Sequence, residues 1–142
     1  MKKSRLGTET GCPCGSGAAY GACCGRWHRG AQHLMAPTAE ALMRSRYSAY
    51  VLALGDYLHE TWNPGTRPAE PITFEPGLRW LGLELKSHVV IGEDRAEVEF
   101  VARSSLGGRA RRLHECSRFV REDGRWTYLD GQAGRQEVGR AR

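Results

Sequence analysis

Four of the five cysteines in this chain fall within thirteen positions, in the stretch "GCPCGSGAAYGACCGRWHRG" at residues 11–30. Cys12, Cys14, Cys23 and Cys24 read C-x-C-x8-C-C, and Cys116 stands alone far downstream. No other feature constrains the fold as tightly, because four clustered sulfurs must meet one another or be wasted. Zinc takes four soft ligands at the corners of a tetrahedron, and thiolates serve it well. Pro13 and Gly15 let the chain turn sharply enough for a C-x-C pair to reach one ion: the first fixes φ, the second permits a positive φ. The spacer has room for a helical turn, after which Cys23 and Cys24 close the site. So short a stretch has almost no core of its own, so metal binding drives its folding. The other readings are a redox dithiol and unliganded thiols. Adjacent cysteines do not match the C-x-x-C redox pattern, so one structural zinc is the expectation, with iron an alternative that the same thiolates accept.

The rest of the composition narrows the setting. A chain of 142 residues, 40% of them hydrophobic, fits one ordinary domain plus a small appendage. It has no apolar run of membrane-spanning length. The start "MKKSRLGTET" has no apolar segment behind its charges, unlike a secretory signal. The expectation is a cytoplasmic protein without membrane insertion, in a compartment that keeps thiols reduced. The formal charge is +5, and both ends are locally basic: residues 1–33 carry five basic side chains against one acid. Residues 1–33 form a basic N-terminus and knuckle, 34–131 a larger domain, and 132–142 a basic, flexible tail.

Two sets of residues carry a resemblance. "CPCGSGAAYGACCG" resembles the SEC-C motif, the small zinc knuckle that ends the SecA translocase ATPase; its last ligand is Cys or His, so Cys24 matches. "LMRSRYSAYVLALGDYLHETWNP" and "ECSRFVREDGRWTYLDG" are similar to the UPF0225, YchJ-like family of bacterial proteins. The similarity spans about residues 10–131. It implies a SEC-C knuckle joined to an NTF2-like domain, a cone of helices on a curved antiparallel sheet that often encloses a pocket. Some relatives carry a second knuckle at the C-terminus, whereas "GQAGRQEVGRAR" has no cysteine.

The residues independently read as α+β. Thr38 is a candidate N-cap, and Met43, Tyr47, Tyr50, Val51 and Leu54 recur at helical spacing, with Gly55 as the stop. Asp56 is placed to cap a second short helix, giving helical structure over 38–62. Past "NPGTRPAEP" the period becomes two. Leu81, Leu83 and Leu85 alternate against Trp80, Glu84 and Lys86; Ala96, Val98, Phe100 and Ala102 alternate against Glu97 and Glu99. "GED", "SLGG" and "DG" separate about four strands over 78–130, and helices followed by a meander is an α+β pattern.

If Phe119 points into the cone, Ser117, Glu115 and Leu113 share its face. A carboxylate there needs a partner, and Arg44, Arg46, Tyr47 and Tyr50 on the helix offer one, with Trp80 as an aromatic wall. Neither His59, His88 nor Cys116 acquires an obvious catalytic partner, and His28 and His33 are surplus to a four-sulfur site. No catalytic pair emerges. The leading function is therefore an adaptor that binds a protein partner through the knuckle, as the SEC-C resemblance implies: the related SecA tail is an interaction module for a chaperone and the ribosome. The alternatives are an RNA or ribosome binder, using Arg5, Arg26, Arg29 and a stacking Trp27, and a small-molecule binder or enzyme using the cone.

Overall fold

The computed structural model describes residues 7–133. A 3-10 turn at Tyr20–Ala22 and helix α1 (Gly25–His28) form the knuckle. Helices α2 (Ala39–Leu52) and α3 (Gly55–Glu60) follow, then four strands: β1 (Arg79–Gly92), β2 (Arg95–Leu106), β3 (Arg109–Glu122) and β4 (Arg125–Ala133). The strands pair antiparallel in the order β1-β2-β3-β4, the meander that the turn signals implied. Two turns have their two central residues at positive φ: Gly107 and Gly108 between β2 and β3, and Asp123 and Gly124 between β3 and β4. That twist suits a tight hairpin.

Helix α2 starts as its sequence specifies, with the Thr38 hydroxyl accepting from the Ala41 N–H at 3.0 Å. It does not end at Gly55. Ala53 takes the left-handed conformation at φ 59° and its N–H closes the last turn, so the chain reverses two residues earlier than expected. Gly55 instead begins α3, with Leu54 at the N-cap and Asp56 inside the first turn rather than capping it. The two expected helices therefore cover 39–52 and 55–60 of the anticipated 38–62, with the break at Ala53–Leu54.

Three bulges decide which side chains enter the cone. Register shifts on β1 fall between Trp80 and Gly82, between Leu85 and Ser87 and between Val90 and Gly92, the first two of which bear on the cone. The first reverses the expected alternation. Trp80 pairs with Ser104 and Leu83 with Ala102, so Trp80 joins Leu83 and Leu85 on the inner face, while Leu81 is left outside, more than half exposed. The second brings His88 opposite the buried Val98. The third bulge that shapes the cone lies between the Arg118–Asp130 and Phe119–Tyr128 pairs, leaving Leu129 as the extra residue of β4. Tyr128 and Gly131 thereby both face inward. Strand β4 runs through Ala133, beyond the boundary expected at 131; residues 134–142 of the anticipated tail lie outside the described residues.

The inner sheet face buries Ala96, Val98, Phe100, Ala102, Phe119 and Trp126 against Leu42, Met43, Tyr47, Leu52 and Leu58 from the helices. Cys12, Cys14, Tyr20, Cys24 and Trp27 belong to this same core. The knuckle is thus packed onto α2 and shares its apolar burial with the cone. Among the described residues no helix is long and apolar enough to cross a membrane.

Candidate metal centre and inner cavity

The Sγ atoms of Cys12, Cys14, Cys23 and Cys24 all lie within 4.8 Å of one another. Cys14 and Cys23 are 3.7 Å apart. A tetrahedral zinc with Zn–S near 2.3 Å needs sulfurs about 3.8 Å apart, so the group fits a four-thiolate metal. Local structure explains the convergence. Gly15 at φ 80° turns the chain directly after the C-x-C pair, and its N–H bonds to the Cys12 carbonyl at 3.1 Å. Gly21 and Gly25 have no room for a side chain: a Cβ at Gly21 would collide with Thr8, and one at Gly25 with the Tyr20 carbonyl.

Groups around the sulfurs are suited to negative charge. The Ser16 hydroxyl lies 3.1 Å from Cys23 Sγ and the Ser48 hydroxyl 3.5 Å from Cys12 Sγ. Arg44 donates from Nη1 to the Cys14 carbonyl at 3.1 Å and reaches its Sγ at 3.7 Å. Cys12 and Cys24, pointing at Cys14, hold its thiol far below the ordinary range, and Ser16 and Arg44 act in the same direction. Cys24 is pushed up in exchange, because it donates to Cys12 and Cys14 and is buried. Four thiolates on a divalent ion carry a net −2, and Arg44 is the cation in contact with it. Arg44 therefore belongs to the knuckle, correcting its expected place in the cone: its Nε also pairs with Glu40 at 3.2 Å.

His28 is not a spare ligand. Its Nε2–H donates to the Ser45 carbonyl at 2.9 Å, which leaves Nδ1 to accept from the Tyr20 hydroxyl at 2.6 Å. Burial lowers its pKa below the ordinary value, in keeping with a neutral ring. His33 faces Glu60 at 3.4 Å. On the knuckle rim Arg26 and Arg29 are exposed, but Trp27 is only 6% exposed. Arg26 lies 4.4 Å above its ring. Trp27 is a core residue, so its expected role as a stacking surface does not hold. Arg5 lies outside the described residues.

Inside the cone, Arg46, Tyr47, Tyr50, Trp80, Glu115 and Ser117 line one cavity of about 260 Å³, together with Trp62, Tyr128 and Leu113. Glu115 is held by hydroxyls: its Oε2 accepts from Ser117 at 2.7 Å and from Tyr128 at 3.3 Å. Of the expected holders, two arginines or a tyrosine hydroxyl, it is the hydroxyl that serves, from Tyr128 on β4 rather than from the helix, and neither Arg44 nor Arg46 makes an ion pair with Glu115 among the described residues. Arg46 is buried and donates from Nη1 to the Leu58 carbonyl at 2.8 Å and to the Thr61 hydroxyl at 2.7 Å. Its guanidinium lies over Tyr128 at 4.7 Å and Trp62 at 5.4 Å, contacts that favour a desolvated cation. Tyr47 is pushed up to about 12 by burial.

Sequence reasoning missed Trp62, Tyr128 and Gly131. Tyr128 shares the alternation of Trp126, a signal that was legible in "RWTYLDG". Trp62 is placed by a parallel bridge to Tyr128, made by a single turn residue that no periodicity announces. His59 and Cys116 take no part: His59 Nε2 lies 3.3 Å from the Pro68 carbonyl, and Cys116 is 4.0 Å from Glu97 on the other sheet face. His88 has Glu40 at 3.8 Å and an unpaired Nε2 among the described residues.

Comparison with known proteins agrees with this architecture. Residues 38–131 match the family model described as the YchJ middle NTF2-like domain. A UPF0225 protein of Bordetella pertussis is 55% identical over 131 residues, 92% of this chain and 98% of that one. One from Methylibium petroleiphilum is 62% identical over 121 residues, 85% and 87% of the two chains. The solution structure of a SEC-C motif containing protein from Rhodopseudomonas palustris superposes with a TM-score of 0.74 at 36% identity, covering 87% of this chain and 98% of the other. A crystal structure of a SEC-C motif containing protein from Psychrobacter arcticus gives 0.73 at 27% identity, covering 92% and 86%.

Proposed function

The chain belongs to the UPF0225, YchJ-like family, and on that premise we propose that it is a non-catalytic adaptor whose zinc-centred knuckle docks a protein partner in the cytoplasm. Four sulfurs complete a tetrahedral zinc site and leave no position for a water nucleophile, so the ion's work is structural. Zinc is preferred over iron because a closed set of four cysteine thiolates is the ordinary structural zinc site.

One observation carries the partner reading. An open groove of about 690 Å³ crosses the knuckle, lined by Gly21 and Gly25 on its floor and Arg26 and Arg29 on its rim, with no acidic residue among its described lining. Its two exposed guanidiniums, Arg26 and Arg29, favour an acidic segment. A chaperone, a translocase subunit or a ribosome-associated protein bearing such a segment fits this surface. The RNA reading is weaker, since the burial of Trp27 removes its stacking platform.

The test is crosslinking from native lysate with wild type, Arg26→Glu/Arg29→Glu, and Cys12→Ser. A discrete, ribonuclease-insensitive protein adduct lost in both variants is the expected result. Unchanged adducts in the double charge reversal would sink the reading, and ribonuclease-sensitive co-sedimentation with ribosomes would replace it with the RNA one.

A further inference from the structure

The cone cavity is built around polar atoms that the protein itself leaves unanswered. Oε2 of Glu115 is held by Ser117 and Tyr128, and no described residue donates to Oε1. Trp62 also lines the cavity, and its buried indole N–H has no partner among the described residues. Arg46 engages the protein through Nη1 alone among those residues, leaving the rest of its guanidinium without an acceptor. Arg46 and Glu115 share the cavity without an ion pair between them. The Trp62 N–H is a buried donor without a partner, and Glu115 Oε1 and the rest of the Arg46 guanidinium line the cavity with no described protein partner, so the cavity is matched to a molecule carrying a donor and an acceptor together.

The carboxylate is also deliberately seated. Gly131 lies opposite Ser117 because of the bulge at Leu129. A Cβ at Gly131 would overlap the Glu115 carboxylate. A glycine, a hydroxyl from β3 and a phenol from β4 thus fix one carboxylate position. Around it Tyr47, Tyr50, Trp62, Trp80, Phe100 and Tyr128 supply an aromatic wall, which holds water poorly and flat rings well.

We infer that this cavity binds a small, planar, neutral lactam heterocycle, one whose ring N–H donates to Glu115 and whose adjacent carbonyl accepts from Arg46 or Trp62. The class follows from three features. The opposite charges of Arg46 and Glu115 on the cavity wall sum to zero, so a net charge on the ligand would remain unbalanced. The open groups call for a donor and an acceptor together. The volume of about 260 Å³ exceeds the roughly 150 Å³ that holds benzene and suits one ring or two fused rings. The site is separate from the knuckle groove, and its occupancy does not depend on the adaptor reading.

The test uses full-length, metal-loaded protein labelled with ¹⁵N and titrated with quinolin-2-one, uracil and toluene, following the indole signals of Trp62 and Trp80. A lactam probe should give saturable shifts, and toluene should bind at least about tenfold more weakly. Glu115→Gln should weaken the lactam by at least about tenfold, the usual worth of a bond to a charged acceptor. Gly131→Ala should do the same by displacing the carboxylate. If Glu115→Gln fails to fold, Tyr128→Phe removes one hydroxyl that seats the carboxylate and should also weaken the lactam. Absence of saturable shifts with either lactam, toluene binding as tightly as the lactams, or undiminished affinity in the folded variants each overturns the proposal.

Discussion

His28 and Ser45 are joined across the knuckle–helix boundary: the imidazole Nε2–H donates to the Ser45 carbonyl at 2.9 Å. Because the Ser45 hydroxyl bonds back to Leu42 and on to Tyr57, at 2.7 Å in each case, this bond links α1, α2 and α3. The His28 ring also meets Tyr57 edge-on at 4.6 Å.

Replacing His28 by Ala should therefore destabilise the whole chain, not the knuckle alone. It strands the buried Tyr20 phenol, at about 1–3 kcal/mol, and removes the second bond of a helix carbonyl. The sign of the pH effect follows from the lowered pKa. The folded state favours neutral His28, so its contribution is complete above the unfolded value of about 6.5 and is lost as pH falls below it. Thermal melts of wild type and His28→Gln at several pH values separate this from acid release of metal: the gap between the two should narrow below about pH 6. A gap constant with pH would show that the ring does not titrate between the two states.

Chelation should melt the knuckle and lower the melting temperature of the cone. The sequence led us to expect residues 10–28 to unfold while the cone stayed folded, since the cone has a core of its own and the knuckle almost none. The structure buries Cys12, Cys14, Cys24 and Trp27 in the core that Leu42 and Ala49 also occupy, so loss of the metal uncovers one face of α2. Hydrogen exchange should quicken at Ser45 and Ser48 well before it does at Val98 and Phe119 in the sheet centre. Exchange in α2 that ignores the chelator would contradict the shared core.

Glu115→Ala should cost about 1–3 kcal/mol, from the bonds to Ser117 and Tyr128. This is smaller than the cost expected of a broken buried ion pair, because Arg46 does not clasp the carboxylate. Glu97→Ala, on the outer face, should cost less than about 0.5 kcal/mol. Equal unfolding free energies in urea would remove Glu115 from the interior.

Ala53→Gly should stabilise the protein by about 1 kcal/mol. Ala53 holds φ 59° at the end of α2, a conformation that costs an ordinary residue about 1–2 kcal/mol and glycine little. An unchanged or lowered denaturation midpoint would show that the greater chain entropy of glycine offsets the relief.

The residues that were legible in the sequence are those whose signal is local. The cysteines announce themselves by spacing, Thr38 by capping, and the four strands by their period. What stayed hidden depends on single extra residues or on distant contacts. Nothing in "RWLGLEL" marks Leu81 as a bulge, yet that one residue moves Trp80 to the inner face. Gly131 reads only as the last residue of the larger domain, and only the extra residue at Leu129 brings it under Glu115. Arg44 and Arg46 are two residues apart on α2, about 200° around a helix. One therefore serves the sulfurs and the other the cavity, a division that the helical period allowed but did not assign.

The most direct measurement is of the metal centre itself: elemental analysis of protein purified without chelator, with X-ray absorption at the metal edge. The account predicts one zinc per chain, four sulfur scatterers at about 2.3 Å and no oxygen or nitrogen in the first coordination shell, with Cys12→Ser losing the metal. A metal-free protein with an ordered knuckle, or a bound metal with an oxygen or nitrogen ligand in place of one sulfur, would contradict it.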